Sequence, residues 1–155
     1  MIEELTEKDM SELKLEDILS FAVKSEIEAQ HLYEKINEIN RDDSLETLIE
    51  RLIDEEKSHQ KKIRSMFNDF FPEKEIEDVD VEEDNFSNYT EIKDEHYDLK
   101  TLSEIAIEKE KEASEFYRTL SNQVHEDAVS NLLSYLAYME NEHHSLLKKE
   151  LSGRK

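Results

Sequence analysis

Cysteine is absent from the 155 residues. That excludes disulfides, thiolate metal ligands and any iron–sulfur or rubredoxin-type centre held by this chain. Glycine and proline occur once each, too rarely for a sheet-rich fold with many tight turns. No run of about 18 apolar residues and no signal-peptide core stands in the sequence, so the chain reads as soluble and cytoplasmic, with no membrane partner. Basic residues are the minority: 41 acids against 20 lysines and arginines leave a formal charge of −21. Nucleic acid would be repelled by that charge, and cations are the natural guests.

Helical patterning fills the space left by these absences. The length suits one domain, residues 1–155, with a single substantial core. Beyond a polar lead-in over residues 1–13, Leu15, Ile18, Leu19, Ala22, Ala29, Tyr33 and Ile36 form one stripe. Asn40–Asp43 breaks it, and Asp43 with Glu46 has the spacing of a capping box. A second stripe runs through Leu45, Leu48, Ile49, Leu52, Ile63 and Met66 and should stop near Phe71-Pro72. Residues 72–98 are non-periodic and acidic, a solvated crossover. Thr101 with Glu104 signals a third helix, whose stripe is Leu102, Ile105, Ala106, Ala113, Tyr117 and Leu120. A loop over Ser121–Asp127 leads to the fourth, with Val129, Leu132, Leu133, Leu136 and Leu147, and a loose tail follows from Ser152.

Acids interrupt all four stripes in phase. Glu26 fills the gap between Ala22 and Ala29, and Glu110 does the same 84 positions later. Glu56 with His59, and Glu140 with His143, repeat at the same offset, and residues three apart share a helix face. The chain is therefore a helical hairpin written twice, which predicts an all-α four-helix bundle with hairpins 15–67 and 99–151 joined by a long crossover. Height agrees with phase. In an antiparallel hairpin, residues equidistant from the loop are level; positions 26 and 56 centre on 41, and 110 and 140 centre on 125, both inside loops.

Four carboxylates converging in a core cannot all stay ionised without compensation, and no lysine or arginine is expected in the seam at that level. Two divalent cations would balance them, with neutral imidazoles completing the shells. Glu56 and Glu140 would bridge, Glu26 and Glu110 would be terminal or shifting ligands, and His59 and His143 would each bind one metal. Oxygen-rich ligation with one imidazole per ion suits iron or manganese. Glu28 and His31 have the Glu-x-x-His spacing but no copy, since Glu115 stands at the matching position, and both read as surface residues. His144 reads as surface too, and His96 and His125 carry no assignment. Tyr33 and Tyr117 lie two turns beyond Glu26 and Glu110, either as core aromatics or as phenols donating to metal-bound carboxylates.

The doubled Glu-x-x-Ala-x-x-x-Tyr and Glu-x-x-His motifs resemble the rubrerythrin branch of the ferritin-like superfamily over residues 15–67 and 99–151. The resemblance implies a di-iron carboxylate bundle in which Glu26, Glu56, His59, Glu110, Glu140 and His143 match the ligand positions, with manganese or zinc as substitute ions. It also implies reduction of hydrogen peroxide to water, an oxidative-stress defence, and a homodimer in some members formed by exchange of helix pairs. Two departures stand out. There is no cysteine-ligated rubredoxin domain, so electrons must come from a separate donor protein. Ala113 also occupies the place of an extra carboxylate ligand. The expected activity is peroxide reduction; the alternatives are iron oxidation with dioxygen and storage, or a metal-free helical interaction protein with a vestigial site.

Overall fold

A computed structural model of the chain describes residues 14–76 and 98–151. The described residues form four helices: α1 (Leu15–Ile39), α2 (Asp43–Phe70), α3 (Leu99–Gln123) and α4 (Asp127–Leu151). α1 pairs with α2 and α3 with α4 as antiparallel hairpins, and the hairpins join through α1 against α3 and α2 against α4. The result is the expected all-α four-helix bundle. Among the described residues, no helix is long and apolar enough to cross a membrane. The lead-in, the acidic part of the crossover (77–97, with His96) and the tail lie outside the described residues.

The core is two apolar blocks separated by a polar layer. One block takes Leu19 and Ala22 of α1, Ile63 and Phe67 of α2, Tyr117 and Leu120 of α3, and the N-terminal half of α4. The other takes Leu32 and Ile36 of α1, Ile49 and Leu52 of α2, Leu102 and Ile105 of α3, and Leu147 and Leu151 of α4. The membership of the blocks gives the topology directly. The end of α2 and the start of α3 lie in opposite blocks, at opposite ends of the bundle. The periodic seams run through both blocks, with Leu15, Leu48, Met66 and Leu132 only partly covered at the margins.

Three boundaries differ from the sequence-based expectation. The cap of α2 is Asp42, not Asp43: its carboxylate accepts from the backbone N–H groups of Ser44 and Leu45. α3 begins at Leu99, capped by Asp98 onto the N–H of Thr101, so Thr101 is inside the helix and caps nothing. α3 also continues through Gln123, which shortens the second loop to residues 124–126. In the first two cases several acids or hydroxyls stand within a turn of one another. Which one caps is decided by where the backbone leaves the extended region, and Asp42 and Asp98 are the residues with extended backbone.

Asp42→Ala is accordingly expected to cost about 1 kcal/mol of stability, and Asp43→Ala no more than about 0.5 kcal/mol. Urea unfolding of the two variants checks the assignment; equal losses would contradict it.

Candidate metal centre

The polar layer lies where the four seams cross at mid-height. Glu26, Glu56, His59, Glu110, Glu140 and His143 are all essentially excluded from solvent. Each helix delivers its residues by periodicity alone, because Glu26 and Glu110 replace an apolar residue in phase, while Glu56/His59 and Glu140/His143 sit one turn apart on one face. Two sets of potential ligand atoms result, each mutually within 4.8 Å: Glu26, Glu56, His59 and Glu140, and Glu56, Glu110, Glu140 and His143. Glu56 and Glu140 belong to both. The two imidazoles lie nearly parallel, with centroids 6.0 Å apart, and turn Nδ1 toward the carboxylates.

Protein groups alone do not satisfy this layer. Both oxygens of Glu56 and of Glu140, Oε2 of Glu110 and Nδ1 of His143 are buried without a hydrogen bond from the described residues. Imidazole nitrogens do stand 3.1 to 3.7 Å from several of them, so the atoms face one another at ion-pair range without hydrogen-bond alignment. Each buried polar atom left in this state costs about 1–3 kcal/mol. Lone pairs from four carboxylates and two imidazoles, all aimed at one small volume, are a donor set that fits divalent cations. The cluster has the composition and geometry of a candidate metal site.

Titration behaviour follows from the same crowding. Burial, then the charges of Glu140, Glu26 and Glu110, raises the Glu56 carboxyl well above its usual range. Burial and the neighbouring Glu140 raise Glu110 to about 8. Burial works against a charged His59, but the facing carboxylates of Glu140 and Glu26 outweigh it and lift the ring to about 9. His143 rises further, against its burial, through Glu110, Glu140, Glu55 and Glu56. Without cations, the layer keeps itself together by holding protons.

The surrounding residues depart from the sequence expectation in three ways. Tyr33 donates to Glu110 Oε1 at 2.7 Å, but the Tyr117 hydroxyl goes to the backbone carbonyl of Ala22 at 3.3 Å. Glu26 Oε1 lies 3.0 Å from His59 Nδ1. Second, a lysine is buried beside the layer: Lys109, 2% exposed, pairs with Glu28 at 3.2 Å, and Glu28 is drawn off the surface with it. His144 is half-buried, with Nδ1 3.0 Å from the Ile107 carbonyl oxygen. Third, Glu55 was not singled out by its sequence position. His143 Nε2–H donates to Glu55 at 2.6 Å, and Arg51 holds the same carboxylate at 3.1 Å. The hydrogen bond from His143 is the main reason Glu55 is lowered to about 2. Glu55 has no counterpart in the repeat, because Met139 stands at the matching position. The usable signal was its place beside Glu56, one step round the helix toward α4.

The rubrerythrin family model matches residues 17–151. A solved structure of a hypothetical protein from Pyrococcus furiosus is similar, with 28% identity and a TM-score of 0.72; the match covers 95% of this chain and 94% of that one. No curated protein matches the chain.

Glu110 and His59 have pKa values above their unfolded ones (4.5 and 6.5), near 8 and 9 respectively. Each therefore contributes stability that is complete below its unfolded value and is lost as the pH rises through its folded value. Chelated protein should lose several kcal/mol between pH 6 and 9, on the order of 10–20 °C in melting temperature. Added divalent cation competes with those protons and should stabilise more at pH 9 than at pH 6. Thermal melts across that range check both signs; a chelated protein that is steadier at pH 9 would contradict them.

Proposed function

Because the chain belongs to the rubrerythrin family, we propose that its buried layer holds two iron ions and reduces hydrogen peroxide to water. The observation that carries this reading is the pair of overlapping four-residue ligand sets that share Glu56 and Glu140. In it, Glu26, His59 and the shared Glu56 and Glu140 would hold one ion, and Glu110, His143 and the same shared pair would hold the other. Manganese or zinc could take the same positions.

The overall step is H2O2 + 2 e− + 2 H+ → 2 H2O. The irons, when bound, supply one electron each and the Lewis acidity that polarises the peroxide. The chain's own residues do the rest. Apolar blocks above and below the layer keep bulk water from it, which strengthens every charge interaction inside. Tyr33 orients the Glu110 carboxylate through its 2.7 Å hydrogen bond. Burial first, and then the nearby Glu110 charge, holds the phenol well above its usual pKa, so it remains a protonated donor at any working pH. Tyr117, also raised by burial, packs as a core aromatic on the other side. No cysteine is available in these residues to carry an iron–sulfur donor, so this reading assigns re-reduction to a separate protein.

A second reading, iron oxidation and storage, draws on the acidic excess of −21, which concentrates cations around the bundle. Ala113 also supports it. That residue sits buried in an apolar block, where the resemblance leads one to expect an extra carboxylate for turnover.

Anaerobic iron-loaded protein, mixed separately with peroxide and with dioxygen in a stopped-flow instrument, distinguishes the two. Peroxide reduction predicts oxidation at least tenfold faster with peroxide and saturation at two irons per chain. Faster reaction with dioxygen, together with uptake well beyond two irons, would overturn it in favour of storage.

A further inference from the structure

If the repeat were exact, the two halves of the ligand layer would be identical. They are not, and two independent differences favour the same half. His143 presents Nδ1 to the layer while its outer nitrogen is fixed on Glu55 at 2.6 Å, and Glu55 is fixed in turn by Arg51 at 3.1 Å. At the corresponding places beside His59 the sequence has Met139 and Tyr135 in place of Glu55 and Arg51. The polar contacts of His59 all run from Nδ1, to Glu26, Glu56 and Glu140. Its ring meets the edge of Tyr135, with centroids 5.8 Å apart and planes at 82°, and Tyr135 is itself 40% exposed.

The second difference concerns the carboxylates. Tyr33 holds Glu110 at 2.7 Å, whereas Tyr117, its repeat partner, bonds the backbone of α1 and leaves Glu26 without a phenol. Both outer hydrogen bonds thus support the ligands Glu110 and His143, and neither supports Glu26 or His59. A partner on the far side of a ligating group fixes its orientation and raises its basicity; removing one typically lowers metal affinity by about 10–100-fold.

We infer that the two metal positions are inequivalent: the one formed by Glu110 and His143 with the shared Glu56 and Glu140 fills first and holds its ion, while the Glu26–His59 position fills second and exchanges. This rests on the two-metal reading above, and concerns the order and strength of binding rather than turnover.

Titration of the metal-free protein with cobalt(II), followed by calorimetry and by the visible absorption of the bound ion, tests it. Two steps are expected, separated by about 10–100-fold in affinity. His59→Ala should keep the tight step at one cobalt per chain, and His143→Ala should lose it. Glu55→Gln combined with Tyr33→Phe should bring the two steps together while the circular dichroism of the helices stays unchanged. Two cobalts bound at one affinity in the unaltered protein would overturn the inference and leave the two-metal reading intact. So would a tight step that survives His143→Ala but not His59→Ala, or a separation that survives the Glu55/Tyr33 double variant. Absence of any cobalt binding would overturn the two-metal reading itself.

Discussion

Mutual repulsion among Glu26, Glu56, Glu110 and Glu140, held in a layer from which water is excluded, is the constraint that the remainder of the bundle accommodates. Carboxylates in such a place are expensive to keep ionised and expensive to leave unpaired. The helices nevertheless bring them together, because the apolar blocks on either side pack tightly enough to impose the register. Energy from burying those blocks is thus spent on assembling a cluster that opposes its own formation. Protons on Glu56, Glu110 and the two imidazoles relieve the opposition in part. Divalent cations would relieve it further, by meeting the oxygen atoms that no hydrogen bond from the described residues reaches.

Duplication explains how one short motif builds such a layer. A single hairpin supplies two glutamates and one histidine, too few ligands for a closed two-metal site. Two hairpins, placed so that α1 meets α3 and α2 meets α4, double the set and let Glu56 and Glu140 face both halves. Divergence between the copies then acts on the periphery. Glu55 and Arg51 have become Met139 and Tyr135 in the second copy, and the Lys109–Glu28 pair has Ser25 and Glu112 at its repeat positions. The ligands themselves have not diverged.

Most of the fold and the convergence of the six candidate ligands were legible because both depend on period and offset. An acid in phase with leucines is visible in a linear sequence, and a hairpin whose midpoint falls in a loop fixes the height of each residue. What escaped depends on a choice among near neighbours or on contacts across helices. Asp42 and Asp43 are adjacent, and only the backbone's departure from extended geometry selects the cap. Tyr117 occupies the same motif position as Tyr33, yet its hydroxyl donates to the backbone of α1 and not to a glutamate. Lys109 looks like a surface lysine until α1 brings Glu28 against it. Glu55 has no repeat partner, so the very symmetry that revealed the ligands hid the residue that orients one of them.

Replacing the two shared glutamates together, Glu56→Leu with Glu140→Leu, tests most directly whether the layer exists to hold cations. Leucines would extend the apolar blocks through the layer and remove two buried charges, a change that is commonly neutral or stabilising by about 1–4 kcal/mol. The account predicts a variant that binds no stoichiometric metal and, in the presence of chelator, melts at or above the temperature of the unaltered protein. Retention of a full metal complement would contradict it.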